Sequence, residues 1–170
     1  RVCVTLRHTV RPVMVRIHTL LDGTGVFDRA IEVVNTSDRP MALSALSPLS
    51  GAVQQTGYGR NRLDVSGEIY RVGYMKSSAW GSEGEFRWQS LPDEIYTIAG
   101  RYRRDRYRHP MFLLENRLTG ETFVCQLAWS GGYAFTFDLN REIPQLASLS
   151  IDIAIDAPAP LRMIEPGEAY

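Results

Sequence analysis

The sequence predicts an all-β chain built as a two-layer antiparallel β-sandwich, and three observations carry that prediction. Apolar and polar residues alternate in short runs that recur about every ten residues. No window shows the period of an amphipathic helix. The third observation is the stretch Thr119 to Asn140, where Phe123, Cys125, Leu127 and Trp129 alternate and then Tyr133, Phe135, Phe137 and Leu139 do the same. Successive strand residues point to opposite faces, so each run offers one heavily apolar face. With Ser130-Gly131-Gly132 between them, the runs are expected to pair as a β-hairpin, the glycines taking the positive φ of a tight reversal. That hairpin is expected to organise the opposing sheet.

The remaining elements follow in chain order. Val2 to Leu6 reads as a short strand ended by Arg7-His8-Thr9-Val10-Arg11-Pro12. In Val13 to Leu21, Val13, Val15 and Ile17 alternate with Met14, Arg16 and His18, a half-buried strand. Asp22-Gly23-Thr24-Gly25 has turn composition. Val26 to Asn35 and Met41 to Leu49 are the next two strands, joined by the polar loop Asn35 to Pro40, and these spacings argue a meander. Residues 51 to 67 are expected to be a long irregular excursion. Strand character returns at Glu68 to Met75, Glu94 to Ala99, Met111 to Leu118 and Thr122 to Trp129, the last two bracketing a turn at Thr119-Gly120-Glu121. Ser77 to Leu91 carries Trp80 and Trp88 among small and charged residues. Leu146 to Ile155 and Leu161 to Ile164 complete the set.

Length and composition are those of one globular domain: 170 residues, 44% hydrophobic and 22% charged. Nineteen basic residues balance nineteen acidic ones, which gives no general attraction to nucleic acid or to a membrane surface. No apolar run is long enough to span a bilayer, no secretory signal is present, and the expected setting is cytoplasmic. Cys3 and Cys125 lie in apolar runs and are expected to be buried free thiols. The chain opens on Arg1 with strand-like sequence and closes on Glu-Ala-Tyr, so a fragment of a longer chain is expected.

Candidate chemistry is sparse. His8, His18 and His109 have no metal-ligand spacing, and His109 is expected to orient a loop through its ring nitrogens. Asp28, Glu32, Asp138 and Asp152 fit solvent-facing strand positions. No nucleophile elbow, P-loop or dinucleotide fingerprint occurs, and no catalytic residue, metal or cofactor is assigned. The sharpest local signal is Arg101 to Arg108, in which Arg101, Arg103, Arg104 and Arg106 interleave with Tyr102 and Tyr107 ahead of His109. Arginine forks and tyrosines of this kind bind phosphates and bases, or form ion pairs at a protein interface. With a neutral chain the interface is the favoured reading, a contact with another domain or subunit. Trp80 and Trp88, flanking a Gly-Ser-Glu-Gly stretch, are candidate carbohydrate contacts, since tryptophan rings stack on sugar faces; core or interface anchoring is the commoner use.

Taken in order, these segments resemble the N-terminal β-supersandwich domain of glycoside hydrolase family thirty-six, the melibiase-type α-galactosidases. Phe27 to Pro40 is similar to the family's strand followed by Asn-Thr-Gly-Asp-Glu-Pro, and Leu43 to Leu49 to its following Leu/Ser-rich strand. Ser78-Ala79-Trp80 resembles its Gly-Ala-Trp, and Ile98 to Phe112 its arginine-rich segment and His-Asn-Pro-Phe-like run, without the asparagine. Thr119 to Tyr133 is similar to the family's Gly-Glu and Trp-Ser-Gly hairpin, and Leu161 to Tyr170 to its closing Leu-Glu-Pro-Gly-Glu-Ser-Phe, with Ala169 at the serine. The resemblance implies a galactose-mutarotase-like supersandwich over residues 1–170. It implies a non-catalytic module that supports homo-oligomer contacts and packs on a C-terminal (β/α)8 barrel, which holds both catalytic aspartates of a retaining α-galactosidase and acts on carbohydrate. A stand-alone carbohydrate-binding module is the alternative.

Overall fold

A computed structural model of the chain describes residues 1–56, 67–76, 80–81, 84–101, 108–141 and 146–170, with backbone alone at 54–56. Among these the chain is all-β and antiparallel, with no helix. It divides into two compact units, Arg1–Pro48 with Ala157–Tyr170, and Leu49–Asp156.

The first unit is a meander. β1 (Val2–Arg7), β2 (Val13–Leu21) and β3 (Phe27–Asn35) pair in sequence order. The β2–β3 reversal follows from its residues. Gly23 takes φ 89°, which favours glycine, and the Asp22 carboxylate accepts the Thr24 N–H at 2.9 Å and its hydroxyl at 2.5 Å. β4 (Met41–Leu43) pairs with β13 (Arg162–Ile164), and the chain end runs beside β3, with Val33 and Tyr170 exchanging N–H···O bonds of 2.8 and 2.9 Å. Asn35 is fully buried at this junction. Its Nδ2 donates to the carbonyls of Arg39 (2.7 Å) and Ile164 (2.9 Å), and its Oδ1 accepts the Ser37 N–H and hydroxyl. Cys3 is exposed with the rest of β1, contrary to the expected burial, because β1 pairs along one edge only and no layer covers it among the described residues.

The second unit holds two four-stranded sheets. One runs β10 (Thr122–Gln126), β9 (Met111–Asn116), β6 (Tyr70–Met75), β7 (Phe86–Ser90), and the other β5 (Leu46–Thr56), β12 (Ala147–Ile155), β11 (Tyr133–Asn140), β8 (Ile95–Gly100). Their inward residues share one core in a sandwich-like arrangement: Tyr70, Val72, Phe112 and Leu114 from the first sheet, and Ile98, Phe135, Phe137, Leu149 and Ile151 from the second. Phe112 stands edge-on to Phe135 at 5.1 Å and to Phe137 at 4.9 Å, the geometry that ring quadrupoles favour. Burying a side chain of this size contributes about 2 kcal/mol. The alternation of buried and half-buried positions along β11 and β12 is the one the sequence predicts.

Three expectations are corrected. The run 122–129 and the run 133–140 do not form a hairpin: β10 pairs with β9, while β11 pairs with β12 and β8. The short turn at 118–121 decides this. Gly120 there takes φ 74° and Asn116 Oδ1 accepts the N–H groups of Leu118 and Thr119, which locks β10 onto β9. Ser130-Gly131-Gly132 is instead a crossing between sheets, and neither glycine has positive φ. They are small because of crowding: a Cβ on Gly131 would meet the Trp129 ring, and one on Gly132 the Asp156 carbonyl oxygen. Phe123 is consequently 49% exposed on the edge strand. The second correction is at 51–56, which is strand and extends β5 beside β12 where composition predicts an irregular segment. Its sheet partner supplies the order that its Gly- and Gln-rich composition lacks. Third, Met41 to Leu49 is two strands, β4 and the start of β5, that serve different sheets.

Candidate functional site

β7 gives the second unit its most chemically distinctive surface. Along Phe86-Arg87-Trp88 the side chains alternate, placing Phe86 and Trp88 on the outer face of the first sheet. Gly73 of β6 lies opposite Trp88, and the lack of a side chain there lets both rings lie down on the sheet. A Cβ at this position would stand 2.5 Å from Phe86 Cζ and 3.1 Å from Trp88 Cε3. The two rings meet edge-on at 5.7 Å. Leu113 and Val124 continue the row across β9 and β10, and Val124 is 68% exposed.

A polar border runs beside these rings. The Arg71 guanidinium lies 4.5 Å over the Trp88 ring while its Nε donates to the Glu115 carboxylate of β9. Next to it the Glu68 carboxylate accepts from the Ser90 hydroxyl and from Arg117. The Ser90 bond first, and then Arg117, hold Glu68 below the usual carboxylate range. The surface is therefore a flat apolar centre with paired charges at its margin. Chemically it can stack against a flat partner and offer directed hydrogen bonds at one side.

Of the residues singled out in the sequence, Trp88 lies in this surface. Trp80, in the turn at 80–81, is 95% exposed and stacks on no other ring among the described residues. Arg101 is exposed just beyond β8. Tyr102, Arg103, Arg104, Arg106 and Tyr107 lie outside the described residues. His109 is exposed, and it is its carbonyl that is engaged, accepting the Met111 N–H at 2.7 Å and the Tyr133 hydroxyl at 3.1 Å. His8 Nδ1 accepts the N–H groups of Val10 and Arg11, both at 3.0 Å, and so shapes the β1–β2 turn. His18 Nε2 lies 3.7 Å from Glu32, whose carboxyl is held low by Arg16 first and His18 after it. Among the described residues no three His, Cys, Asp or Glu side chains gather as a metal-binding group.

Sequence reasoning missed Arg71, Gly73, Phe86, Glu115 and Val124. One signal was readable: Phe86 and Trp88 two apart, with charged or polar residues between and after them, is a half-exposed strand pattern. Comparison of the chain with protein-family models gives no match, and comparison with curated protein sequences gives none either.

Proposed function

We propose that this chain is the non-catalytic N-terminal β-supersandwich domain of an α-galactosidase-like glycoside hydrolase, seated against a separate (β/α)8 catalytic barrel and supporting subunit contacts. The observation that carries this reading is the outer face of the β6–β7 sheet. There Phe86, Trp88 and Val124 are 39%, 38% and 68% exposed in a row bordered by the Arg71–Glu115 pair. Contiguous aromatic surface with a charged rim is how docking surfaces are built. The order of segments resembling the α-galactosidase domain supports the same reading. The test compares the chain alone with the chain followed by its barrel. The isolated chain is expected to leave a nitrophenyl α-galactoside intact, and turnover by pure material overturns the assignment of chemistry to the barrel. In the longer protein, iodide is expected to lose most of its quenching of Trp88 fluorescence, read with Trp80 and Trp129 replaced by Phe.

The placement of Arg71 beside Trp88 favours one second reading, a carbohydrate-binding module in which a sugar ring stacks on Trp88 and hydrogen-bonds Glu115. That module binds galactosides on its own and loses them with Trp88→Ala. Titration calorimetry without heat from the unmodified chain sets it aside.

A further inference from the structure

β10 is the last strand of its sheet, with β9 on one side and no strand on the other among the described residues. Which of its backbone groups face outward follows from the ladder. At the two ends of the β9–β10 pairing the Asn116 N–H donates to the Glu121 carbonyl at 2.9 Å and the Leu127 N–H to the Pro110 carbonyl at 2.8 Å. Bonded pairs in an antiparallel ladder recur at every second residue, so Phe123 and Cys125 also bond β9. Thr122, Val124 and Gln126 therefore turn their N–H and C=O groups away from the sheet. Val124 is 68% exposed there and Phe123 49%. The usual guards of an edge are missing. Thr122–Gln126 includes no charge and no proline, and its register against β9 runs without a bulge.

The occupant this edge fits is the same edge of a second copy. With Val124 opposite Val124 of the copy about a two-fold axis, Thr122 comes opposite Gln126, and every outward N–H and C=O of the strand finds a partner. On the inner face the same register sets Phe123 opposite Cys125, ring against thiol. Glu121 comes opposite Leu127, so no charge meets its like. Slipping by one residue would join the inner face of one copy to the outer face of the other. Slipping by two would carry an outward pair past the end of the strand. The outer apolar row of Trp88, Leu113 and Val124 then continues into the same row of the copy. Backbone pairing alone would accept any strand; the match on both faces selects the copy.

We infer that the chain self-associates through β10, the four-stranded sheet of each copy continuing edge to edge into the other. The contact belongs to the edge and holds whether or not the chain is part of a galactosidase, so its failure leaves the proposed role standing. One strand pair buries less than the roughly 800 Å² per partner of a stable complex, which makes the dimer reversible. Sedimentation equilibrium of the whole chain is expected to pass from monomer at about 1 μM to dimer at about 1 mM. Val124→Pro removes an outward N–H and no bond to β9. It is expected to weaken the dimer at least tenfold while β9 keeps its slow amide exchange. Val124→Lys sets two cations against each other across the axis and is expected to do the same without touching the backbone. Cross-linking reads the register. With the exposed Cys3 replaced by serine, Val124→Cys is expected to give a disulfide-linked dimer on oxidation, since Cα atoms in a bonded pair lie about 5.5 Å apart. Thr122→Cys, too far along the strand from its own copy, is expected to give none. Monomer at every concentration, an affinity unchanged in Val124→Pro and Val124→Lys, or cross-linking by Thr122→Cys in place of Val124→Cys overturns the contact.

Discussion

Asn35 shows how much one buried amide can hold. Its Nδ2 satisfies the carbonyls of Arg39 and Ile164, and Ile164 is itself fully buried. Alanine at position 35 strands that carbonyl away from water, so the loss includes a desolvation penalty as well as the bonds. Asn35→Ala is expected to cost about 3 kcal/mol, seen as a lower urea midpoint at unchanged slope. Tyr96 makes a prediction of the opposite kind, one of pH. Burial first, and then the Tyr74 hydroxyl, push its pKa from the ordinary 10.0 up to about 12. Below pH 10 the hydroxyl is protonated in folded and unfolded chains alike, and its contribution is fully present. Between about pH 10 and pH 12 the unfolded chain releases the proton and the folded one keeps it, so stability falls as pH rises. Tyr96→Phe is therefore expected to flatten the alkaline limb of the stability profile. An unchanged limb counts against the Tyr74–Tyr96 bond.

At the scale of the strand, two glycines separate packing that yields from packing that does not. A Cβ on Gly132 collides with the backbone oxygen of Asp156, and the Asp156 N–H is itself bonded to the Gly132 carbonyl at 2.9 Å, so the end of the β11–β12 ladder must part. A Cβ on Gly73 meets no backbone, only the tip of Phe86 and, at 3.1 Å, the edge of Trp88, rings 39% and 38% exposed that can swing outward. Gly132→Ala is expected to cost about 3 kcal/mol and Gly73→Ala about 1 kcal/mol or less. Gly73→Ala also shifts Trp88 emission to the red, measured in the same unfolding series. Equal costs would show that the crossing at 130–132 is not crowded. This crossing also marks what the sequence could and could not reveal. Strands such as Tyr133–Asn140 and Ala147–Ile155 are legible because a half-buried strand writes its period into its own residues. The partner of β10 is not written there, since Trp-Ser-Gly-Gly suits a reversal and a sheet-to-sheet crossing equally. The outer-face surface was legible at Trp88 alone, because Arg71, Gly73 and Glu115 join it through register between strands distant in sequence.

At the scale of the molecule, the first unit is assembled from both ends of the chain and the second from its middle. β4 takes its ladder from β13, Ala169 bridges Val34, and the N–H groups of Val33 and Asn35 donate to the carbonyls of Tyr170 and Glu168 at 2.8 and 3.0 Å. Removing residues 157–170 therefore leaves unpaired backbone beside a fully buried Asn35 and takes away its Ile164 partner. The second unit keeps every residue of its own core, from Ile69 to Ile153. Deleting 157–170 is accordingly expected to abolish slow amide exchange in β2 and β3 while β6, β9, β11 and β12 keep theirs, read by hydrogen-exchange mass spectrometry. The asymmetry follows from topology: strands closed within 49–156 lose no partner, whereas β3 loses the segment that satisfies one of its edges. Uniform loss of protection in both units would mean that the second does not hold itself together, and persistence of protection in β3 would mean that the closing segment contributes nothing to the first.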